Sequence, residues 1–297
     1  MDVSTATELV AMAMETEAMA DSVFYLTAQL GQFIRRNDKV VICFPDHSSD
    51  NIGGLMERAV IACGAVPVLW GADHRWKSLL QLAFFSRASV IIGPPIILLG
   101  LAKLQKHTGL PLYVHHVVSA GYPCLDWMIE GIRDGLDCKV WGCFGIGTSA
   151  AVGGFSCGHS LGVHIRQEEY TLETEECAAP STSGRIRITS NRNPAVSDLL
   201  PIRGKMEYER CDCGSKIPRL MDIHPGDTVD EDMLTLGQYL NSWTSVLDCR
   251  IRKGECGLEL EMVVFPGEKL PKLPSFAKRI IRPWDPKHDT PFVCTST

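Results

Sequence analysis

The chain has 297 residues, 45% of them hydrophobic and 22% charged, which supports a substantial core and excludes wholesale disorder. A formal net charge of −6 without a basic stripe makes nucleic acid a poor partner. The longest apolar stretch, "ASVIIGPPIILLGLA", is broken by Gly93, Pro94 and Pro95 and is too short to span a bilayer.

Along the chain, an amphipathic helix is expected from about Thr7 to Arg36, with no interior proline. "KVVICF" then reads as a buried strand, and "PDHSSDN" offers caps to a helix running to about Cys63. "VPVLW" is a second strand, "WKSLLQLAFFSR" a helix, "SVIIG" a third strand, and a proline-started helix follows to about Lys106. "YVHHVVSAG" gives a fourth strand, "CLDWMIEGIRDGL" a helix and "CKVWGCFG" a fifth strand. Strands alternating with helices predict an α/β fold with a mostly parallel sheet flanked by helices. After Gly145 the helices stop. "GVHIRQEEYTLE" and "GRIRITS" read as β structure separated by the polar loop "ETEECAAPSTSG". From about Met221 a small α+β piece is expected, with a helix near 231–242, strands at "SVLDCRIR" and "LELEMVVF", and an irregular proline-rich end. The organisation predicted is thus an α/β part at 1–145, a β-rich subdomain at 146–220 and a small C-terminal domain at 221–297.

Most of the twelve cysteines sit singly in apolar segments, as do Cys43, Cys63 and Cys143, where a thiol acts as a small hydrophobe. "MDVSTATELV" has no basic region ahead of an apolar run, so no secretory signal is visible and a reduced, cytoplasmic chain is expected. Cys211 and Cys213 in "YERCDCGSKIPRL" are spaced too closely for a redox C-x-x-C pair. Joined by Cys157 and His164 of "FSCGHSLGVH" they would make a Cys₃His set for tetrahedral zinc. His159 is a rival ligand, and ordinary turn thiols with a strand histidine are the plain alternative.

The turn "VVSAGYP" leaves a strand at its carboxyl end, where parallel α/β sheets bind ligands. The next strand ends "WGCFGIGTS", in which Phe144 could stack on a flat ring and Gly145 and Gly147 admit close backbone approach; a tight turn with a core phenylalanine is the competing reading. Arg203 offers an anion contact or a solvated surface charge. Glu168 and Glu169 read as a solvated face, and His115 and His116 as strand residues facing opposite sides. No phosphate-binding G-x-x-x-x-G-K-[ST] loop, no G-x-G-x-x-G after the first strand and no G-x-S-x-G elbow occurs.

Taken in order, these pieces resemble the adenylate-forming (acyl-CoA synthetase-like) superfamily in its phenylacetate–CoA ligase-like branch. "SAGYP" is similar to that family's "GAEP"-type turn and "FGIGTS" to its "YGxTE". "CGHSLGVHIRQEEYTLE" resembles "EC…GLHIWEDHFYVE", "GRIRITSNRNPAVSDLLPIR" resembles "GELVVTTLTREAMPLIRYRTGD", and "CDCGSKIPRL" resembles "CPCGRTLPRI". The similarity runs from about residue 38 to 220. It implies ATP-dependent activation of an aromatic or small carboxylic acid to an acyl-adenylate and then a CoA thioester, with ATP or AMP, Mg and CoA as ligands. Phe144 and Gly145 would carry the adenine, with Ser119, Ala120, Gly121, Tyr122 and Pro123 along its edge, and Thr148 and Arg203 nearby. It also implies a structural zinc held by Cys157, His164, Cys211 and Cys213. A homodimer is the general default.

Several family features are altered. The Glu of "YGxTE" falls at Thr148 and the ribose-binding Asp at Tyr208. The phosphate loop expected before the first long helix has no counterpart in "MDVSTATELV"; an upstream start would restore it. No catalytic lysine is assigned among Lys269, Lys272 and Lys278. Adenylation depends on positioning and charge neutralisation, so these changes set a second expectation beside the ligase. That second expectation is a degenerate nucleotide- or acyl-binding module or a structural subunit.

Overall fold

The computed structural model describes residues 17, 19–44, 52–70, 75–121, 124–146, 151–159, 162–175, 183–192, 194, 197–226, 231–254, 257–272 and 278–292. Helix α1 covers 19–30. The expected continuation to Arg36 is replaced by a turn, because the Asp38 carboxylate accepts the Arg35 N–H at 2.7 Å and Asn37 takes φ 69°, a side-chain bond that competes with the helix. Residues 7–16 of that expected helix lie outside the described residues.

The α/β half then runs β1 (Lys39–Ile42), α2 (Ile52–Ala62), β2 (Val66–Leu69), α3 (Trp76–Ser86), β3 (Val90–Gly93), α4 (Pro95–Thr108), β4 (His116–Ser119), α5 (Asp126–Leu136) and β5 (Lys139–Ile146). All five strands pair in parallel, in the order β2-β1-β3-β4-β5. Side-chain alternation divides the core cleanly. Val40, Ile42, Val90 and Ile92 pack with α1 and α2, while Val41, Ile91 and Val117 pack with α3, α4 and α5. Near-continuous apolar strands are what a sheet covered on both faces requires.

β2 is the outer strand, bonded among the described residues to β1 alone. Val66 N–H donates to Asp38 O and Trp70 N–H to Ile42 O. By alternation, the nitrogen of Pro67 therefore faces the open edge, where a missing N–H breaks no ladder bond.

The remaining strands are β6 (Ala151–Phe155), β7 (Val163–Ile165), β8 (Tyr170–Glu175), β9 (Gly184–Ser190), β10 (Ser197–Glu207) and β11 (Arg219–Pro225). They continue the same sheet as β5-β6-β7-β11-β10-β9-β8, every pair antiparallel. The β-rich part is thus an extension of one eleven-stranded sheet, and β5 is its seam. The expected break at 145 falls inside β5 and the break at 220 inside β11. β10 runs through Pro201, and its register to β9 shifts between Leu199 and Arg203, which accommodates the imino acid.

The C-terminal part holds α6 (Glu231–Ser242), β12 (Val246–Gly254), β13 (Gly257–Val264) and β14 (Lys278–Pro283), the strands forming a separate sheet. β14, parallel to β13, has no counterpart among the expected strands, and only its last two residues, Arg282 and Pro283, fall in the expected irregular end. This part is bound into the first core: Leu247 and Phe265 join the α3–α4–α5 cluster, and the His107 ring stacks on Phe265 at 3.8 Å. From α4, Lys103, only 8% exposed, donates to Val246 O at 2.7 Å and to Asn241 Oδ1 at 3.4 Å. Burial lowers its pKa to about 8, against the opposing charges of Cys249 and Asp248. From the far end, buried Asp289 caps α3: its Oδ2 accepts the Lys77 N–H at 3.0 Å and the Trp284 Nε1–H at 2.9 Å.

Candidate functional site

Two groups of expected residues converge. The first lies at the carboxyl ends of β4 and β5. Ser119 is opposite Gly142 in parallel register, so Ala120 and Gly121 leave the sheet beside the stretch that carries Phe144 and Gly145. Gly121 adopts φ 86°, and a Cβ there would meet Phe44 Cε1 at 3.1 Å, so the turn requires glycine. Behind it, burial pushes the Cys124 thiol up to about 11. Asp126, in the first turn of α5, is raised by burial and by the charges of Asp222 and Glu130. Phe144 is 8% exposed and packs with Ile165, Ile186 and Leu220, while Gly145 is exposed. Tyr122, Pro123, Gly147 and Thr148 lie outside the described residues. Arg203 stands apart, four strands from β5 in the sheet order, its Nη2 donating to Ser183 O at 3.3 Å. Tyr208 is 69% exposed beyond the end of β10. Lys269 and Lys272 are exposed, their carbonyls accepting Ser245 Oγ and Tyr239 OH, and Lys278 opens β14.

The second group is the cysteine–histidine set. Cys157 follows β6, His164 is the middle of β7, and Cys211 and Cys213 occupy the turn between β10 and β11. The pairing of β7 with both β6 and β11 draws the three segments together, with Phe155 and Arg219 both opposite His164. The four ligand atoms lie within 4.8 Å of one another. Cys157 Sγ is 3.6 Å from Cys211 Sγ, and Cys213 Sγ is 3.5 Å from His164 Nε2. A tetrahedron with Zn–S of about 2.3 Å and Zn–N of about 2.0 Å has edges of about 3.8 and 3.5 Å, so both separations match its edges, and 3.6 Å is far too long for a disulfide. His164 Nδ1 lies 3.0 Å from Ile217 O. A carbonyl only accepts, so Nδ1 carries the proton and Nε2 is left unprotonated, its lone pair facing the thiols and free to ligate a metal. The knuckle is closed by Gly214 N–H to Cys211 O at 2.8 Å and by Cys211 N–H to Ser215 O at 3.0 Å, with Gly214 at φ 88°. Cys211 is buried and Cys213 exposed at the rim; the rival His159 is exposed and outside this set. The arrangement can hold one tetrahedral S₃N ion.

Other expected residues are placed differently. Glu169 bonds Arg192 at 2.6 Å and pairs with buried Arg166 at 3.7 Å. Arg192 also holds Asp21 of α1, so this carboxylate belongs to a network, which the exposed Glu168 joins through Arg166 at 3.7 Å. His115 is exposed. His116 is turned inward, where Nδ1 accepts the Trp141 Nε1–H at 3.2 Å and burial lowers its pKa.

By sequence, no family model and no curated protein matches the chain. Solved structures do share its fold. That of 2-hydroxyisobutyryl-CoA ligase in the postadenylation state, in complex with R3-HIB-AMP, aligns with a TM-score of 0.66 at 16% identity, covering 83% of this chain and 58% of that one. The amide bond synthetase McbA from Marinactinospora thermotolerans gives 0.56 at 15%, covering 89% and 62%. A benzoate CoA ligase from Burkholderia xenovorans LB400 gives 0.56 at 12%, covering 91% and 63%. This chain thus has the fold of adenylate-forming CoA ligases and spans less than two thirds of the length of these neighbours.

Proposed function

We propose that the chain is an acyl-adenylate-forming, ATP-dependent acid–CoA ligase-like protein of the phenylacetate–CoA ligase-like branch, acting on an aromatic or small carboxylic acid. The observation that carries this reading is the glycine turn at Gly121, which leaves β4 beside the end of β5 in this fold. The carboxyl ends of parallel strands are where such sheets bind ligands. In this reading Ser119–Pro123, Phe144 and Gly145 line the adenine, with Thr148 adjacent and Arg203 meeting ribose or phosphate. ATP and Mg would supply the leaving pyrophosphate and its neutralisation, and CoA the accepting thiol. Zinc is assigned to Cys157, His164, Cys211 and Cys213 on the tetrahedral edge lengths above, as a staple of three segments with no part in the chemistry.

A panel of carboxylic acids tested for ATP–pyrophosphate exchange beside an active ligase control is the direct test. No exchange with any acid overturns the ligase reading. Exposed Tyr208, where the family carries its ribose carboxylate, favours a second reading, a nucleotide- or acyl-binding module. That reading expects AMP, ATP or CoA binding by calorimetry without exchange.

A further inference from the structure

Beside Arg203, on the adjoining strands β11, β10 and β9, the sheet holds a serine–histidine pair that neither reading above uses. Ser183 immediately precedes β9, and His224 is on β11, with β10 between them. Ser183 Oγ lies 3.1 Å from His224 Nε2, and His224 Nδ1 lies 3.1 Å from Pro225 O. The Pro225 carbonyl accepts only, so Nδ1 carries the proton. Nε2 is therefore the acceptor and the Ser183 hydroxyl donates to it. A hydroxyl donating to an imidazole whose other nitrogen is anchored is the arrangement that activates a nucleophile.

The backbone brings the pair together by a specific device. Lys205 is opposite Met221, yet Arg203 is opposite His224, so β11 carries one more residue than β10 over this span. Asp222 takes φ 51° within it. Regular pairing would set Ile223 opposite Arg203; the bulge instead turns Ile223 toward the apolar cluster and His224 to the face of Arg203. Bulges re-aim single side chains, and they concentrate beside active sites. Arg185 lies opposite Arg203 on the same face, and the Arg203 guanidinium holds the Ser183 carbonyl at 3.3 Å. Both pair members are half-buried, not sealed in the core.

We propose that Ser183 and His224 form a nucleophilic dyad that accepts an acyl group from an activated ester or thioester, an activity separate from adenylation. His224 Nε2 takes the proton as Ser183 Oγ bonds the acyl carbon. The bond from that carbon to the leaving alkoxide or thiolate breaks, and His224 returns the proton to the leaving group. Water, deprotonated by the same imidazole, then releases the free acid and restores the serine hydroxyl. Arg203 is a positioning residue for the Ser183 peptide, and the two guanidiniums on this face supply positive charge to the tetrahedral oxyanion.

The test uses the full chain without ATP or CoA, so its outcome is independent of the ligase reading. A fluorophosphonate probe and p-nitrophenyl acetate are each followed by intact mass and peptide mapping. The expected result is a single adduct on Ser183, absent from Ser183→Ala and slowed about a hundredfold or more in His224→Gln, the range for loss of a general base. Mapping the adduct on the unaltered chain keeps the test decisive if a variant fails to fold. No adduct, an adduct at another residue, or equal labelling in His224→Gln overturns the proposal.

Discussion

Lys103 offers the sharpest test of how the C-terminal sheet is held. Lys103→Met keeps the length of the side chain and removes its charge and donors. The Val246 carbonyl and Asn241 Oδ1 then lose the bonds at 2.7 and 3.4 Å, a loss of about 1–3 kcal/mol for buried groups left unsatisfied. The pH dependence separates charge from contact. Burial lowers the folded pKa from 10.5 to about 8, so between those values the unfolded chain holds a proton that the folded chain has released. Stability from this group therefore rises with pH: it is fully present above 10.5 and lost as pH falls through about 8. Between pH 7 and 9.5 the gain is about 2 kcal/mol. Urea unfolding at both pH values, followed by tryptophan fluorescence and extrapolated linearly, should show it as a difference between wild type and variant, to which Asp248 and Cys249 also contribute because both feel the Lys103 charge. An identical pH increment in Lys103→Met would refute the buried, charge-bearing role.

Three further outcomes follow. Purified protein should carry about one zinc per chain, and a strong chelator should lower its melting temperature, since binding energy at a structural site is folding energy; Cys211→Ser should reproduce that loss, and metal-free protein with unchanged melting would remove the zinc assignment. Asp289→Ala should destabilise by about 1–3 kcal/mol in denaturant titration, because the Lys77 N–H and the Trp284 indole N–H both lose their acceptor. Arg203→Ala should weaken ATP or AMP binding about tenfold or more by calorimetry, the scale of a charge-assisted hydrogen bond, with melting little changed.

The α/β half was legible because each strand is a short apolar run and the helices between them alternate regularly, α4 with its own start and stop signals. Pro95 opens α4 and the left-handed Gly109 ends it. The cysteine–histidine set was legible from ligand chemistry, although only the pairing of β7 with β6 and β11 decides between His164 and His159. Strand β14 was hidden, since "KRIIRP" is half charged and ends in proline and becomes a strand only by pairing with β13. The continuity of the sheet through β5 was hidden too: composition changes at Gly145, while the ladder runs on unbroken and only turns from parallel to antiparallel pairing. The Ser183–His224 pair had no signal at all, because 41 residues separate its members and a one-residue bulge decides their meeting.

The orientation of Pro67 bears on how copies of this protein coexist. A four-residue outer strand with Val66 and Leu69 each 37% exposed is a template on which a second chain could add, and unprotected edges of that kind seed aggregation. With its ring nitrogen aimed outward, β2 offers no hydrogen at the centre of that edge. The edge is thus weakened as a template by one missing N–H, only the Leu69 N–H of the strand being left to face outward. Restoring it with Pro67→Val should leave the fold intact while shortening the lag of thioflavin-positive aggregation.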